Sequence, residues 1–392
     1  MEVHKTVLVG WEMGGGLGHI HRLLPIATQL AAKGHRIVFA LKSKIDAAVI
    51  TRALPNTAIF DVPIIRGDPA RGPAPSAYNY ADILYRRGYT SAMTLSGLIK
   101  GWRQLFDAFR PSVLVCDHSP TAILAAAGRL PTIHIGSGFA IPPVNQPFPL
   151  LHRSTQPGAK EREAKVLETI REVQTRLNIP PIDHVSQLFA SAENFPCCLP
   201  ELDPYHSHRV ASSRGTAQPL PKVQPIPQTP FLFGYLNGQE KRLPEFLQSL
   251  VRAKVPAGIY IRRALPALAH LVTGSSVTVY ENPQKMPDAL IQASATLHHG
   301  GLATSEAALA MGRPQFVLPR HLEQGLTATA IQALGCGLNL AQAKGDPGQI
   351  ISAALKAETF CKKAEQVAQR IAQRTHEDMT AAVVNACLKH LS

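Results

Sequence analysis

The stretch His298-His299-Gly300-Gly301-Leu302-Ala303-Thr304-Ser305 sets paired glycines ahead of two hydroxyl residues, and that spacing can hold an anion. Glycines remove the side chains that would keep an anion away from the backbone, and the first N–H groups of a helix have no partner within it. Thr304 and Ser305 add hydroxyl donors in the first turn of a helix predicted to open at Leu302 to Ser305. The helix dipole contributes about 0.3 to 1 kcal/mol toward a bound negative charge, so a diphosphate suits the chemistry. Past Gly312-Arg313-Pro314 and a short apolar strand, Gln315 to Leu318, the pair Glu323-Gln324 sets an acid and an amide where sugar hydroxyls could be gripped. A Gly-Gly pair taken alone also reads as a plain strand-to-helix turn.

A second constellation lies near the N-terminus. His19 follows the loop Gly14-Gly15-Gly16-Leu17-Gly18 at the predicted start of a helix. The helix dipole disfavours the charged form of an imidazole placed there, which suits a neutral general base. A base needs an orienting partner, and Asp117 is the candidate because it ends the apolar run Val113 to Cys116; in parallel sheets the strand exits gather on one edge. His19 could also be a capping or surface histidine, and Asp117 a cap for a helix over Thr121 to Ala127. Glu12 and His118 are lesser candidates in the same neighbourhood, whereas His21, His134 and Cys197-Cys198 read as structural.

The elements that must carry these groups alternate between strand and helix. Thr6 to Gly10 is a short apolar strand, and Leu23, Ile26, Ala27 and Leu30 mark one buried face of a helix that ends at Gly34. Arg36 to Leu41 is the next strand, completing a βαβ unit. Its glycine run lacks the Gly-Lys-Ser/Thr of a P-loop and fails the dinucleotide fingerprint at the third glycine, which disfavours a nucleotide kinase or a dehydrogenase. In the second half, strands are predicted at Val277 to Tyr280 and Ala295 to Leu297, with helices over Met286 to Gln292 and Thr327 to Leu334.

Pro283-Gln284, His299-Gly300-Gly301, Thr304, Gly312-Arg313-Pro314 and Glu323-Gln324 follow one another in the order and spacing of the nucleotide-sugar-binding half of GT-B glycosyltransferases, and the chain resembles the UDP/dTDP-sugar-dependent members that modify small molecules. The resemblance implies an α/β fold of two Rossmann-like domains facing across a cleft, with the acceptor held by the first and the donor by the second. Gln284 would lie under the nucleobase. His299 with Gly300, Gly301, Thr304 and Ser305 would hold the diphosphate, and Glu323 and Gln324 the sugar. Gly18-His19 and Asp117 match the family's catalytic dyad. Two departures stand out: Glu323 replaces the usual aspartate, and the family's ribose-gripping acid aligns with Ala307, one position after Glu306.

At 392 residues the chain is too long for one ordinary core and suits two domains. Ser212 to Pro230 is rich in Ser, Gln and Pro, which predicts a first domain over 1–218, a stiff linker over 219–230 and a second domain over 231–365. Residues 366–392, part of an amphipathic stretch from Thr359 to Leu391, would form a terminal helix crossing back to the first domain, as the resembled fold implies. Six cysteines without paired CxxC spacing and no signal-like N-terminus point to a cytoplasmic setting. A net charge of +13 could attract anionic donors or an acidic membrane face. Aromatic residues at 6%, with no recognisable motif, make nucleic acid the weakest partner. The run Phe139 to Arg153, with Phe148-Pro149-Leu150-Leu151 before His152-Arg153, is either a lip for an acceptor or lipid at the inner membrane face, or a buried loop.

The expected activity is an inverting, metal-independent glycosyl transfer from a UDP-sugar or dTDP-sugar co-substrate to a hydroxyl of a small molecule, with no other cofactor. A lipid-linked acceptor, a sugar-nucleotide epimerase and a non-catalytic nucleotide-sugar-binding partner protein are the alternatives.

Overall fold

A computed structural model describes residues 4–44, 47–65, 77–144, 147–151, 157–263, 268 and 270–392. The chain divides into one unit of Met1–Ala217 with Glu377–Ser392 and another of Gln218–His376. The first is built on six parallel strands: β1 (Thr6–Trp11), β2 (Arg36–Leu41), β3 (Ala58–Asp61), β4 (Val113–Asp117), β5 (Thr132–Gly136) and β6 (Glu193–Pro196), in the order β3-β2-β1-β4-β5-β6. The connecting helices are α1 (Gly18–Ala32), α2 (Ala48–Ala53), α3 (Tyr80–Tyr85), α4 (Ala92–Phe109), α5 (Pro120–Ala126) and α6 (Ala159–Arg176).

The strands are apolar without interruption because helices cover both faces of the sheet. Successive side chains point to opposite faces, and the core divides accordingly. Leu8, Val38, Leu114 and Cys116 pack on the side of Tyr80, Trp102 and Phe189. Val7, Val9, Phe39, Val113 and Val115 face Leu23, Ile26, Ala27 and Leu30, the predicted stripe of α1.

The second unit repeats the plan with β7 (Leu232–Asn237), β8 (Ala257–Arg262), β9 (Val277–Tyr280), β10 (Ala295–His298), β11 (Gln315–Val317) and β12 (Gly337–Asn339), ordered β12-β11-β10-β7-β8-β9 and again parallel. Its helices are α7 (Leu243–Arg252), α8 (Met286–Gln292), α9 (Leu302–Met311), α10 (Leu322–Ala333), α11 (Pro347–Lys356) and α12 (Glu358–Ala372).

Three segments depart from the sequence reading. The terminal stretch is two helices: α12 packs on α9 within the second unit, and only α13 (Met379–Leu391) joins the first, burying Met379, Val383, Val384, Cys387 and Leu391 beside α1. The break falls before Asp378, whose carboxylate accepts from Ala381 N at 3.0 Å and restarts the helix as an N-cap. The proline-rich run is tethered in part. Prolines leave backbone carbonyls without matching N–H groups nearby, and the buried guanidinium of Arg313 donates to the carbonyls of Gln224 and Pro225, both at 2.9 Å. Finally, α10 opens at Leu322 rather than Thr327. The Gly325 N–H donates to His321 O at 3.0 Å and is already part of this helix.

Candidate active site

In both sheets the strand order reverses beside the first strand of the unit, between β1 and β4 and between β7 and β10. Crevices outside the carboxyl ends of strands at such switch points are where ligands bind in open α/β sheets. Each predicted cluster occupies one of them.

In the first unit, Trp11 at the end of β1 is in register with Asp117 at the end of β4. His19 stands in the first turn of α1, and its Nδ1 donates to Asp117 Oδ2 at 2.9 Å. A carboxylate only accepts, so the proton sits on Nδ1 and Nε2 is left as the basic nitrogen. Trp11 stacks on the imidazole with ring centroids 4.8 Å apart. Gly14 has φ +83°, and a Cβ there would lie 2.5 Å from His19 Nε2. Glycine at 14 thus serves both the left-handed turn and the space over the basic nitrogen.

Asp117 is fully buried, and its Oδ2 also accepts from Arg22 Nη1. Burial alone would raise the Asp117 carboxyl, but the Arg22 guanidinium and then the His19 imidazole outweigh it and hold the group well below the usual carboxylate range. Arg22 was not among the predicted residues. Its signal was the i, i+3 spacing from His19, which places both on one face of α1.

Glu12 performs the capping that Asp117 might have done, accepting from Thr121 N at 3.0 Å and Ala122 N at 3.3 Å at the start of α5. Burial pushes Glu12 up to about 7, against the pull of those hydrogen bonds. His118 has φ +47°, is buried, and neither ring nitrogen has a hydrogen-bond partner among the described residues. Burial, helped by the neighbouring His19, pushes it down to about 3, so it is neutral. His134 bonds Asn194 Oδ1 at 2.9 Å and is pushed down to about 4 by burial, while Cys197 and Cys198 are buried.

In the second unit, His298 arranges the glycine turn. Its Nδ1 accepts from Gly300 N at 2.9 Å and its Nε2 donates to Gln315 Oε1 at 2.9 Å, while Gln315 Nε2 donates to Ser305 O at 3.2 Å. Burial pushes His298 down to about 4, which keeps Nδ1 an acceptor. Neither His298 nor Gln315 was predicted; alternate residues of a buried strand look like core in sequence. Gly300 has φ +86°, and a Cβ on it would meet Gln324 O and Val317 Cγ1, each at 2.9 Å. The turn and the start of α10 therefore approach each other as closely as backbone permits. Gly301 is exposed with open space where a Cβ would be, and Thr304 is half-buried in the first turn of α9.

The predicted donor residues divide. Gly300, Gly301, Thr304, Glu323 and Gln324 are brought together at the β10 and β11 exits, with Glu323 and Gln324 in the first turn of α10. The ring of His299 corrects expectation: Nδ1 donates to Leu318 O at 2.8 Å and Nε2 accepts from Asn237 N at 2.9 Å, so it pins the exits of β11 and β7 and has no N–H left for a phosphate. Ser305 is corrected too. It is fully buried and its hydroxyl donates to Gly301 O at 3.1 Å, as serines in helices do when they bond back one turn. Gln284 is exposed before α8, its amide nitrogen on Asn282 O at 2.9 Å. Glu306 is buried, and Ala307 packs beside Phe233, Leu290 and Met311.

The apolar lip resolves toward its bland alternative. Phe148 and Leu151 are buried, Phe148 5.4 Å from the Tyr80 ring, leaving Leu150 as the exposed member; His152 and Arg153 lie outside the described residues. Among the described residues, no cluster of three or more His, Cys, Asp or Glu is placed to hold a metal, and no helix is long and apolar enough to cross a membrane.

Two six-stranded parallel sheets flanked by helices, each with polar groups gathered at its switch point, constitute the GT-B fold. A solved structure of the spinosyn rhamnosyltransferase SpnG complexed with thymidine diphosphate superposes with a TM-score of 0.63 at 17% identity, over 98% of this chain and 100% of that one. The sequence model of the erythromycin biosynthesis protein CIII-like C-terminal domain matches residues 254–389. The chain is similar to L-demethylnoviosyl transferase of Streptomyces niveus, 26% identical over 384 residues covering 94% of each chain. It is also similar to elloramycin glycosyltransferase ElmGT of Streptomyces olivaceus, 24% identical with 91% of each covered. The protein is a glycosyltransferase.

Proposed function

We propose that the protein transfers a sugar, with inversion, from a thymidine- or uridine-diphosphate sugar to a hydroxyl group of a small organic acceptor. The observation that carries this reading is the His19–Asp117 contact with Nε2 left facing the space over Gly14. His19 Nε2 takes the acceptor's hydroxyl proton as that oxygen attacks the anomeric carbon. The new C–O bond forms on the face opposite the diphosphate, and the bond to the diphosphate oxygen breaks with its electron pair leaving on the nucleotide. Asp117 holds the imidazole in the required tautomer and stabilises the imidazolium that forms.

The donor binds the second unit. The backbone N–H groups at Gly301 and the start of α9, with the Thr304 hydroxyl, take the diphosphate. Gln284 lies beneath the base, and Glu323 and Gln324 meet the sugar. In this reading no divalent ion is needed, since the helix start meets the leaving charge; the chain has no Asp-x-Asp motif. SpnG complexed with thymidine diphosphate supports the thymidine nucleotide as the first donor to try. A small acceptor is favoured over a lipid because Phe148 and Leu151 turn inward.

The test pairs a panel of dTDP- and UDP-sugars with polyphenol and polyketide acceptors, read by product mass, with thermal shifts by dTDP alongside. Ligand at 100 times its dissociation constant stabilises by about 2.7 kcal/mol. His19→Gln should keep the dTDP shift and lose product formation. Undiminished turnover in His19→Gln would remove the imidazole from the mechanism.

A further inference from the structure

The switch point of the second unit carries a cation that the proposed donor chemistry has not used. His299 ties the exits of β7 and β11 together, and the loops continuing from those two exits bring Glu240 and Arg320 to each other, Nε to Oε2 at 3.6 Å. Arg320 is also fixed from below. Its N–H donates to Gln324 Oε1 at 2.9 Å, and the Gln324 carbonyl is the group that a Cβ on Gly300 would strike at 2.9 Å. Two links thus lead from the Arg320 backbone to the glycine turn, while 30% of its side chain is open to solvent.

The other groups near this point do not neutralise a diphosphate. The His299 ring is lowered by burial and both its nitrogens are occupied. Glu240, which also accepts from Arg242 N at 3.3 Å, repels an anion. Arg320 is a permanent positive charge that acts on His299. A guanidinium presents a planar fork that matches phosphate oxygens in pairs, and its charge is permanent. At 3.6 Å the contact with Glu240 is longer than a charge-assisted hydrogen bond, so the carboxylate is a partner readily exchanged.

We infer that Arg320 is the diphosphate-recognising cation of the donor site, held by Glu240 when the site is empty and transferred to the phosphates when a nucleoside diphosphate binds. The inference rests on the donor-binding reading given above. Glu240 then acts as a competitor that sets the strength of nucleotide binding, and Gln324 as the residue that places the Arg320 backbone.

The experiment measures binding of dTDP and of thymidine to the full chain by calorimetry at fixed low salt, for wild type, Arg320→Gln and Glu240→Gln, with UDP titrated into the wild type alongside. Thymidine carries the base and sugar but no phosphate, so the ratio of the two affinities isolates recognition of the diphosphate. Arg320→Gln should reduce dTDP affinity at least ten-fold and leave thymidine affinity unchanged, while Glu240→Gln should strengthen dTDP binding several-fold. Thermal unfolding without ligand verifies that both variants are folded, which the half-exposed positions favour. An unaltered dTDP-to-thymidine ratio in Arg320→Gln would overturn the inference and reduce the pair to a surface contact. Wild-type protein that binds neither dTDP nor UDP would overturn the donor-site reading itself, and this inference with it.

Discussion

Removing the Arg22 charge tests whether the buried acid beside His19 depends on a second partner. Asp117 is 0% exposed and the Arg22 side chain only 10%, so solvent screening does little to weaken their attraction. Breaking a buried pair by deleting one partner costs about 3 to 5 kcal/mol, because the remaining charge is stranded. His19 still donates to the same Oδ2 at 2.9 Å, which places the expected loss for Arg22→Met at the lower end, about 3 kcal/mol. Asp117→Asn strands Arg22 in turn, at a similar cost. If the two act through each other, the double variant loses less than the sum of the singles by about 2 kcal/mol. The assay is urea unfolding followed by tryptophan fluorescence. Both tryptophans of the chain, Trp11 and Trp102, are buried in the first unit, so the signal reports that unit alone. The sign with pH follows from a depressed carboxyl: its stabilisation is present above the ordinary value of 3.8 and is lost as pH falls below it. Coupling should therefore persist from pH 7 to pH 5. Additivity within about 0.5 kcal/mol at pH 7 would refute the reasoning.

Gly14→Ala should cut transfer by roughly a hundred-fold, the scale of a lost general base, because its Cβ would sit 2.5 Å from His19 Nε2; dTDP binding should be unchanged, and full turnover would show that Nε2 is reached from elsewhere. The first unit should also lose stability in mild acid. His118 and His134, lowered to about 3 and about 4, stay neutral in the fold while the unfolded chain takes up protons below 6.5. Glu12, raised to about 7, works in the opposite sense because the fold holds a proton that the unfolded chain releases above 4.5. The unfolded state thus binds about one proton more between pH 6.5 and 4.5, and stability should fall by about 1.4 kcal/mol per pH unit. A flat profile by tryptophan fluorescence would contradict the burial of these histidines.

Much of the site was legible because chemistry and local geometry coincide in sequence. Gly300-Gly301 ahead of a helix, and His19 after a glycine loop, declare themselves through backbone rules that need no distant partner. Strand exits in a parallel sheet lie on one edge, so Asp117 could be paired with His19 across 98 residues of chain. The misreadings share a cause. Ser305 and His299 are polar residues at the right positions, but whether a hydroxyl or ring nitrogen faces a ligand or a neighbouring carbonyl depends on partners that only the folded chain supplies, here Gly301 O, Leu318 O and Asn237 N.

What the sequence determined by itself was the alternation of apolar strands and amphipathic helices, the two glycine turns, and the residue types able to move a proton and hold a phosphate. These follow from periodicity and from backbone freedom, which are properties of neighbours along the chain. Only the tertiary structure decided that Arg22 shares the Asp117 oxygen with His19, that Glu12 and not Asp117 caps α5, and that His298 and Gln315 shape the turn. Hydrogen bonds and charges act through space, and their partners are chosen when strands far apart in sequence come into register.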